Sequence, residues 1–256
     1  MLTGLIGYPI EKTPSPAMHN AAYKYLGIDG RYVRLAVKRN ALKSAIKDLI
    51  RSGFQGVNIT IPYKQAVLEY LDSMSKTAIK INAVNTIMIK NGRLIGENTD
   101  VDGFQRSLAY HHVKIRDKRI LLIGTGGAGR AVGLVIGKLR PASLLITDIV
   151  NKQARDFADH IKAEVIRFDR ARSLKDRCDM IINAAPVDHQ ALATVILGSG
   201  GLYYDINYTF PRQFIGRMRV INGLEMLVQQ GARSFEIWTG KRAPVLVMRK
   251  AVMANV

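Results

Sequence analysis

The chain has 256 residues, 48% hydrophobic and 23% charged, which is ample for one large core or two smaller ones and excludes a disordered polypeptide. Its net charge of +18 favours small anions over nucleic acid, because the cations stand singly or in pairs such as Lys38-Arg39 and Arg249-Lys250 rather than in runs. The single Cys178 excludes an internal disulfide, and neither a secretory leader nor a membrane-spanning apolar run is read, so a cytoplasmic protein with no membrane partner is expected.

The first third alternates strand and helix signals. Leu2–Gly7 predicts a short strand closed by Tyr8-Pro9. Pro16–Leu26 predicts a helix opened by Ser15 as N-cap, with Pro16 at its first position. Tyr32–Val37 predicts a strand, and Ala41–Ile50 an amphipathic helix with Leu42, Ile46, Leu49 and Ile50 on one face. Val57–Ile61 predicts a strand that Pro62 stops. Helical segments follow over Gln65–Leu71 and Lys76–Ile81. Two strands, Thr86–Ile89 and Arg93–Glu97, are joined by Asn91-Gly92, a strong hairpin signal. These elements make an α/β domain in their own right. A helix over Val101–His111, with Phe104 and Leu108 inward, leads out of it.

The next stretch, Arg119–Ala131, organises the rest of the chain. Ile120–Ile123 is an apolar run without alternation, as in a strand buried on both faces of a parallel sheet. Gly124, Gly126, Gly127 and Gly129 follow at once, and an apolar helical pattern continues through Val132, Leu134, Val135 and Leu139. Glycines let the backbone approach a pyrophosphate, and the free N–H groups of a helix start face it. The spacing, G-x-G-G-A-G-R-A, is not the strict dinucleotide fingerprint. Asp148 supplies the second signal: it closes the next apolar run, Leu144–Thr147, 24 positions after Gly124, where an acidic residue is expected to hold a ribose diol. Gly124, Gly126, Gly127, Ala128 and Asp148 are therefore candidate dinucleotide contacts. Further elements are predicted at 151–160, 164–167, 180–183 and 202–205, with closing helices over Leu224–Phe235 and Val245–Val256.

Three polar clusters stand where a plain core or surface would not put them. Thr13 and Ser15 lie in a hydroxyl-rich loop entering a helix, which suits a carboxylate, although Ser15 also reads as an ordinary cap. Lys64 follows the strand ending Ile59-Thr60-Ile61-Pro62, at the end of the sheet where parallel strands bind ligands. Asp100 sits in Asn98-Thr99-Asp100, at the edge of the first domain. A lysine and an aspartate partly buried together can keep the ammonium charged, oriented and ready to donate a proton.

Taken together, these stretches resemble the shikimate dehydrogenase family over nearly the whole chain. The matching motifs are Pro9-Ile10…Ser15-Pro16…His19-Asn20, Asn58-Ile59-Thr60-Ile61-Pro62-Tyr63-Lys64, Ala83-Val84-Asn85-Thr86, Asn98-Thr99-Asp100…Gly103-Phe104, the glycine loop, Asp205…Tyr208, and Gly223-Leu224-Glu225-Met226-Leu227-Val228-Gln229-Gln230-Gly231-Ala232. The resemblance implies reduction of 3-dehydroshikimate to shikimate with a nicotinamide cofactor, NAD(P), in the pathway to chorismate and aromatic amino acids. It implies Lys64 and Asp100 as the catalytic pair. Thr13, Ser15 and Tyr208 match groups holding the substrate carboxylate, Thr60, Asn85 and Gln230 match groups reaching its ring hydroxyls, and Asn183 joins the cofactor set. No metal is implied.

The expected architecture is two α/β domains with a cleft between them. Residues 1–100, completed by helices over 223–256, would bind substrate, and residues 101–222 would form a Rossmann-type dinucleotide-binding domain. A monomer or homodimer is expected. A catabolic quinate/shikimate dehydrogenase, or a non-catalytic dinucleotide- or shikimate-binding protein of the same fold, are the alternatives. NADP-using members commonly carry Asn-Arg-Thr after the second strand of the cofactor domain. Asp148-Ile149-Val150 stands there in this chain, so NAD is favoured from Asp148, with NADP the alternative. Other departures are Lys12 for histidine, Thr13 for serine, Asn82 for glycine, and Ala185 and Val187-Asp188-His189 beyond Asn183-Ala184; the segment Pro211–Asn222 reads as shortened.

Overall fold

A computed structural model describes residues 1–197, 200–208 and 218–255. The chain divides into two compact units, one of residues 1–103 with 227–256 and one of residues 104–226.

The first unit holds strands β1 (Leu2–Gly7), β2 (Arg31–Ala36), β3 (Gly56–Ile59), β4 (Ser73–Met74), β5 (Thr86–Lys90) and β6 (Arg93–Glu97), in the sheet order β2-β1-β3-β5-β6-β4. β1 runs parallel to β2 and β3, whereas β5 pairs antiparallel with β3 and with β6. The β5–β6 turn places Asn91 at φ 52° and Gly92 at φ 72°, the pair of left-handed residues that a two-residue hairpin requires. Helices α1 (Ser15–Tyr25), α2 (Leu42–Arg51) and α3 (Lys76–Ile81) complete this part of the chain. Leu42, Ile46 and Leu49 of α2 are buried in one core with Ile6, Val57 and Ile59, while Ile50 stays exposed.

Several boundaries differ from the expected ones. Ser15 is not an N-cap: the Met18 N–H already bonds the Pro14 carbonyl at 3.1 Å, so the helix begins one residue earlier and Ser15 is its first residue. The segment expected as helix over 65–71 is a 3₁₀ turn over Ala66–Tyr70. The strand expected to reach Ile61 ends at Ile59. Strand β4, of two residues, is too short to leave a periodic signal.

Helix α4 (Asp100–Tyr110) leads into the second unit. There β7 (Arg119–Ile123), β8 (Ser143–Thr147), β9 (Glu164–Val165), β10 (Met180–Asn183), β11 (Leu202–Asp205) and β12 (Arg219–Ile221) form a parallel sheet in the order β12-β11-β10-β7-β8-β9. The order reverses between β7 and β10, and ligands of such sheets bind at that reversal. Helices α5 (Gly127–Lys138), α6 (Asn151–Ile161) and α7 (Gln190–Leu197) flank the strands. Leu121 and Ile123 of β7, Ile181 of β10 and Tyr203 of β11 share one core with α7. Neither α7 nor β12 was expected, and β9 is shorter than the expected 164–167. The legible signal for α7 is Asp188, whose Oδ1 accepts the Gln190 N–H at 2.8 Å. Of the segment expected to be shortened, residues 211–217 lie outside the described residues.

Helix α8 (Leu224–Thr239) carries the chain back, and from Leu227 onwards it belongs to the first unit with α9 (Val245–Met253). The Trp238 indole donates to the Ile87 carbonyl at 3.0 Å, and α9 packs on α1. A Cβ on Gly56 would collide with that indole, so glycine is needed where α8 lies against the sheet.

Candidate active site

In the first unit, three backbone segments converge on one ion pair. Lys64 lies beyond β3, where its carbonyl accepts the Val84 N–H at 2.8 Å. Its Nζ donates to Asp100 Oδ2 at 2.7 Å, and the two side chains are only 14% and 6% exposed. Asp100 opens α4, so the helix dipole favours its negative charge. Its other oxygen accepts from Asn85 Nδ2 at 2.9 Å. Asn85 Oδ1 accepts the Thr99 N–H at 2.7 Å, and a backbone N–H can only donate, which sets the –NH₂ end of the amide towards Asp100. The same –NH₂ lies 3.3 Å from Gln230 Oε1 on α8.

Lys64, Asp100, Asn85 and Gln230 are thus joined by direct hydrogen bonds, although they are scattered over the sequence. Thr13 and Ser15 form a separate pair: their hydroxyls are 3.0 Å apart, the Ser15 N–H reaches Thr13 Oγ1 at 3.3 Å, and Arg34 donates to the Thr13 carbonyl at 2.8 Å. Thr60 hangs its N–H on the Ile6 carbonyl at 2.9 Å, and its methyl lies where a Cβ on Gly7 would be. Tyr208 belongs to the second unit, three residues beyond β11.

Sequence reasoning missed the layer beneath the pair. Thr86, Thr99 and Ser234 are fully buried polar residues, with Asn58 beside them. Thr86 and Thr99 lay inside recognised motifs; Ser234 had no signal except its place one helical turn after Gln230. Behind Asn58, whose Oδ1 accepts from Tyr32 at 2.8 Å, His19 stacks on Tyr32 at 4.3 Å. Neither ring nitrogen of His19 has a hydrogen-bond partner among the described residues, and burial lowers its pKa to about 3.

In the second unit the glycine turn joins β7 to α5 at the reversal of the sheet. Gly124 has φ 93°, and a Cβ there would stand 2.8 Å from the Ala185 nitrogen. A Cβ on Gly129 would strike the Gly124 carbonyl, whereas one on Gly126 would meet nothing within 4 Å. The turn is therefore tight inside and open outside at Gly126, where the first N–H groups of α5 are free of intrahelical partners. That geometry fits a pyrophosphate.

Two expected cofactor contacts are engaged with the protein itself. Asp148 Oδ2 accepts both the N–H and the hydroxyl of Thr125, at 2.7 and 2.8 Å, and Oδ1 accepts the Val150 N–H at 2.9 Å. Asn183 is fully buried: its amide donates to the Val187 carbonyl at 2.8 Å and to Asp205 at 3.1 Å, and its oxygen accepts the Ala185 N–H at 3.1 Å. It shapes the turn over 184–187 that packs on Gly124. Burial pushes the Asp205 carboxyl up. Arg130 donates to the Thr125 carbonyl at 3.1 Å and lies over the Phe157 ring at 5.3 Å, half-buried, its pKa lowered by burial.

Comparison with known proteins decides the family. Residues 5–87 match the shikimate dehydrogenase substrate binding domain, and residues 223–253 match the shikimate 5′-dehydrogenase C-terminal domain. A protein of Carboxydothermus hydrogenoformans named shikimate dehydrogenase (NADP(+)) is 38% identical over 274 residues, covering 98% of this chain and 96% of that one. The chain belongs to the shikimate dehydrogenase family. Among solved structures, a shikimate dehydrogenase in complex with NADP⁺ shares 33% identity with a TM-score of 0.89, over all of this chain and 95% of that one. A quinate dehydrogenase from Corynebacterium glutamicum in complex with NAD shares 28% identity with a TM-score of 0.87, over 99% of each chain.

Two family departures have a local explanation. Asn82, at a position where the family usually has glycine, ends α3 at φ 57°, a left-handed conformation that asparagine tolerates best after glycine. Ile149, where NADP-using members commonly carry arginine, is 84% exposed. The expectation of NAD over NADP is not supported by the relatives, whose names carry NADP(+). Among the described residues no helix is long and apolar enough to cross a membrane.

Proposed function

We propose that this chain reduces 3-dehydroshikimate to shikimate with a nicotinamide cofactor, NADPH in the first instance, in the route to chorismate and aromatic amino acids. The observation that carries the reading is the nearly buried Lys64–Asp100 ion pair, 2.7 Å long and braced by Asn85. Residues 1–103 with 227–256 take the substrate, and residues 104–226 take the cofactor through Gly124, Gly126, Gly127 and Ala128. Asp148 acts at the ribose end. Asn183 acts by shaping the turn on Gly124, consistent with its burial.

The reduced nicotinamide, when bound, supplies the hydride. Lys64 Nζ donates a proton to the oxygen of the ketone as it becomes an alkoxide. Asp100 holds that ammonium aimed through their 2.7 Å contact. Asn85 and Gln230 meet ring hydroxyls, as does Thr60, and the hydroxyls of Thr13, Ser15 and Tyr208 take the carboxylate. Burial of Lys64 and Asp100 keeps water away and strengthens their interaction.

A second reading, quinate oxidation with NAD, is favoured by Asp148-Ile149-Val150, which lacks the arginine of NADP-using members. Initial rates with shikimate and with quinate, each with NADP⁺ and NAD⁺, separate the two. Higher kcat/KM on shikimate with NADP⁺ is the expected result; a preference for quinate with NAD⁺ establishes the second reading, and no oxidation of either acid overturns both.

A further inference from the structure

Beneath the ion pair lies a closed set of hydroxyls drawn from three distant parts of the first unit. Ser234 Oγ, on α8, stands 2.8 Å from Thr86 Oγ1 and 3.2 Å from Thr99 Oγ1. It accepts from Asn58 Nδ2 at 2.9 Å and donates to the Gln230 carbonyl at 3.1 Å. On the other side of the two threonines is the carbonyl end of the Asn85 amide. It takes the Thr99 N–H at 2.7 Å and the Thr86 hydroxyl at 3.1 Å, while the Thr99 hydroxyl flanks the amide, 3.0 Å from Nδ2 and 3.2 Å from Oδ1. The Thr99 N–H and the Thr86 hydroxyl therefore mark the oxygen end of Asn85, and its –NH₂ end faces Asp100 Oδ1 at 2.9 Å.

We propose that Ser234 is a positioning residue for the Lys64–Asp100 pair, acting through Thr86, Thr99 and Asn85. It is the shared neighbour of both threonine hydroxyls, which in turn lie against the Asn85 amide. This inference rests on the reading of Lys64 and Asp100 as the reacting pair. Without the Ser234 oxygen, the Asn58 amide loses an acceptor and both threonine hydroxyls lose their common neighbour, in a site closed to water. They then rotate to find other partners, and Asn85, its orientation still set by the Thr99 N–H, loses the hydroxyls packed against its amide. An Asn85 amide that tilts out of place lengthens its contact from Nδ2 to Asp100 Oδ1, and the carboxylate moves away from Lys64.

The test is shikimate oxidation by the full chain, with thermal unfolding measured alongside. Ser234→Ala is expected to lower kcat about 5- to 20-fold while the KM for shikimate stays within about twofold, because the loss falls on a transition-state interaction. Thr86→Val, which deletes the hydroxyl but keeps the shape, is expected to do the same, and Thr86→Ser to restore most of the rate. In an Asp100→Asn background, Ser234→Ala is expected to cost less than about twofold more, since residues acting through one another are not additive. An unchanged kcat, a raised KM with unchanged kcat, or the same loss in the Asp100→Asn background overturns the proposal. Should Ser234→Ala not fold, the Thr86 pair decides: equal rates for valine and serine overturn it. A native chain inactive on shikimate overturns the functional reading and this inference together, whereas an active native chain with an indifferent Ser234 overturns the inference alone.

Discussion

Thr125 spends both its N–H and its hydroxyl on one oxygen of Asp148, at 2.7 and 2.8 Å. The carboxylate therefore ties the glycine turn to the end of β8 as well as standing near the expected ribose position. Replacing Asp148 with asparagine keeps an acceptor for Thr125 but removes the charge. Like charges brought together oppose binding, so Asp148→Asn is expected to raise kcat/KM for NADP⁺ by about threefold to tenfold, worth roughly 1 kcal/mol, and to lower it for NAD⁺. Asp148→Ala strands both Thr125 donors and is expected to raise KM for both cofactors. Steady-state rates with each cofactor check this, and an unaltered cofactor ratio in Asp148→Asn contradicts it.

Lys64→Ala removes the proton donor and is expected to lower kcat by about 10²- to 10⁴-fold, the usual scale for a general acid, with a much smaller effect on KM. Asp100→Asn is expected to follow the same pattern with some loss of shikimate binding as well. A Lys64→Ala protein that turns over at the native rate would show the proton to come from elsewhere.

His19 makes stability depend on acid. Its folded pKa of about 3 lies below the ordinary 6.5, so between those values the unfolded chain binds the extra proton and the folded chain does not. The contribution is complete above about pH 6.5 and is lost as pH falls towards 3, at up to about 1.4 kcal/mol per pH unit. Urea midpoints measured from pH 7 to pH 4 are expected to fall, and His19→Phe is expected to flatten that slope. An equal slope in both proteins would assign the acid sensitivity to other groups.

Gly56→Ala puts a methyl group into the indole of Trp238 and within 2.6 Å of the Ile87 carbonyl. Because overpacking a closed contact costs about 1–3 kcal/mol, a lower melting temperature is expected. Trp238 is the single tryptophan of the chain, so its fluorescence reports the displacement directly. A native emission spectrum and melting point would mean that the strand at Gly56 makes room for the methyl without displacing the indole.

What the sequence by itself determined is what depends on neighbours along the chain. Ile120–Ile123 reads as a buried strand because its apolar run does not alternate. Asn91-Gly92 reads as a hairpin because few other residues accept two left-handed conformations in succession. The glycine turn, with Asp148 beyond it, follows from the close approach that only glycine allows. Lys64 and Asp100 were legible as separate charges in separate motifs, and the family resemblance suggested their pairing. Their 2.7 Å contact, and the direction in which Asn85 faces, were decided by tertiary structure alone. So was the role of Ser234, whose partner Thr86 lies 148 positions away. Ser15 reads as a cap by residue type, yet the Pro14 carbonyl takes the first helical bond. Asn183 reads as a cofactor contact, yet burial turns its amide inward to the loop over 184–187. In each case the side chain has more than one possible hydrogen-bond partner, and only packing brings one of them within reach.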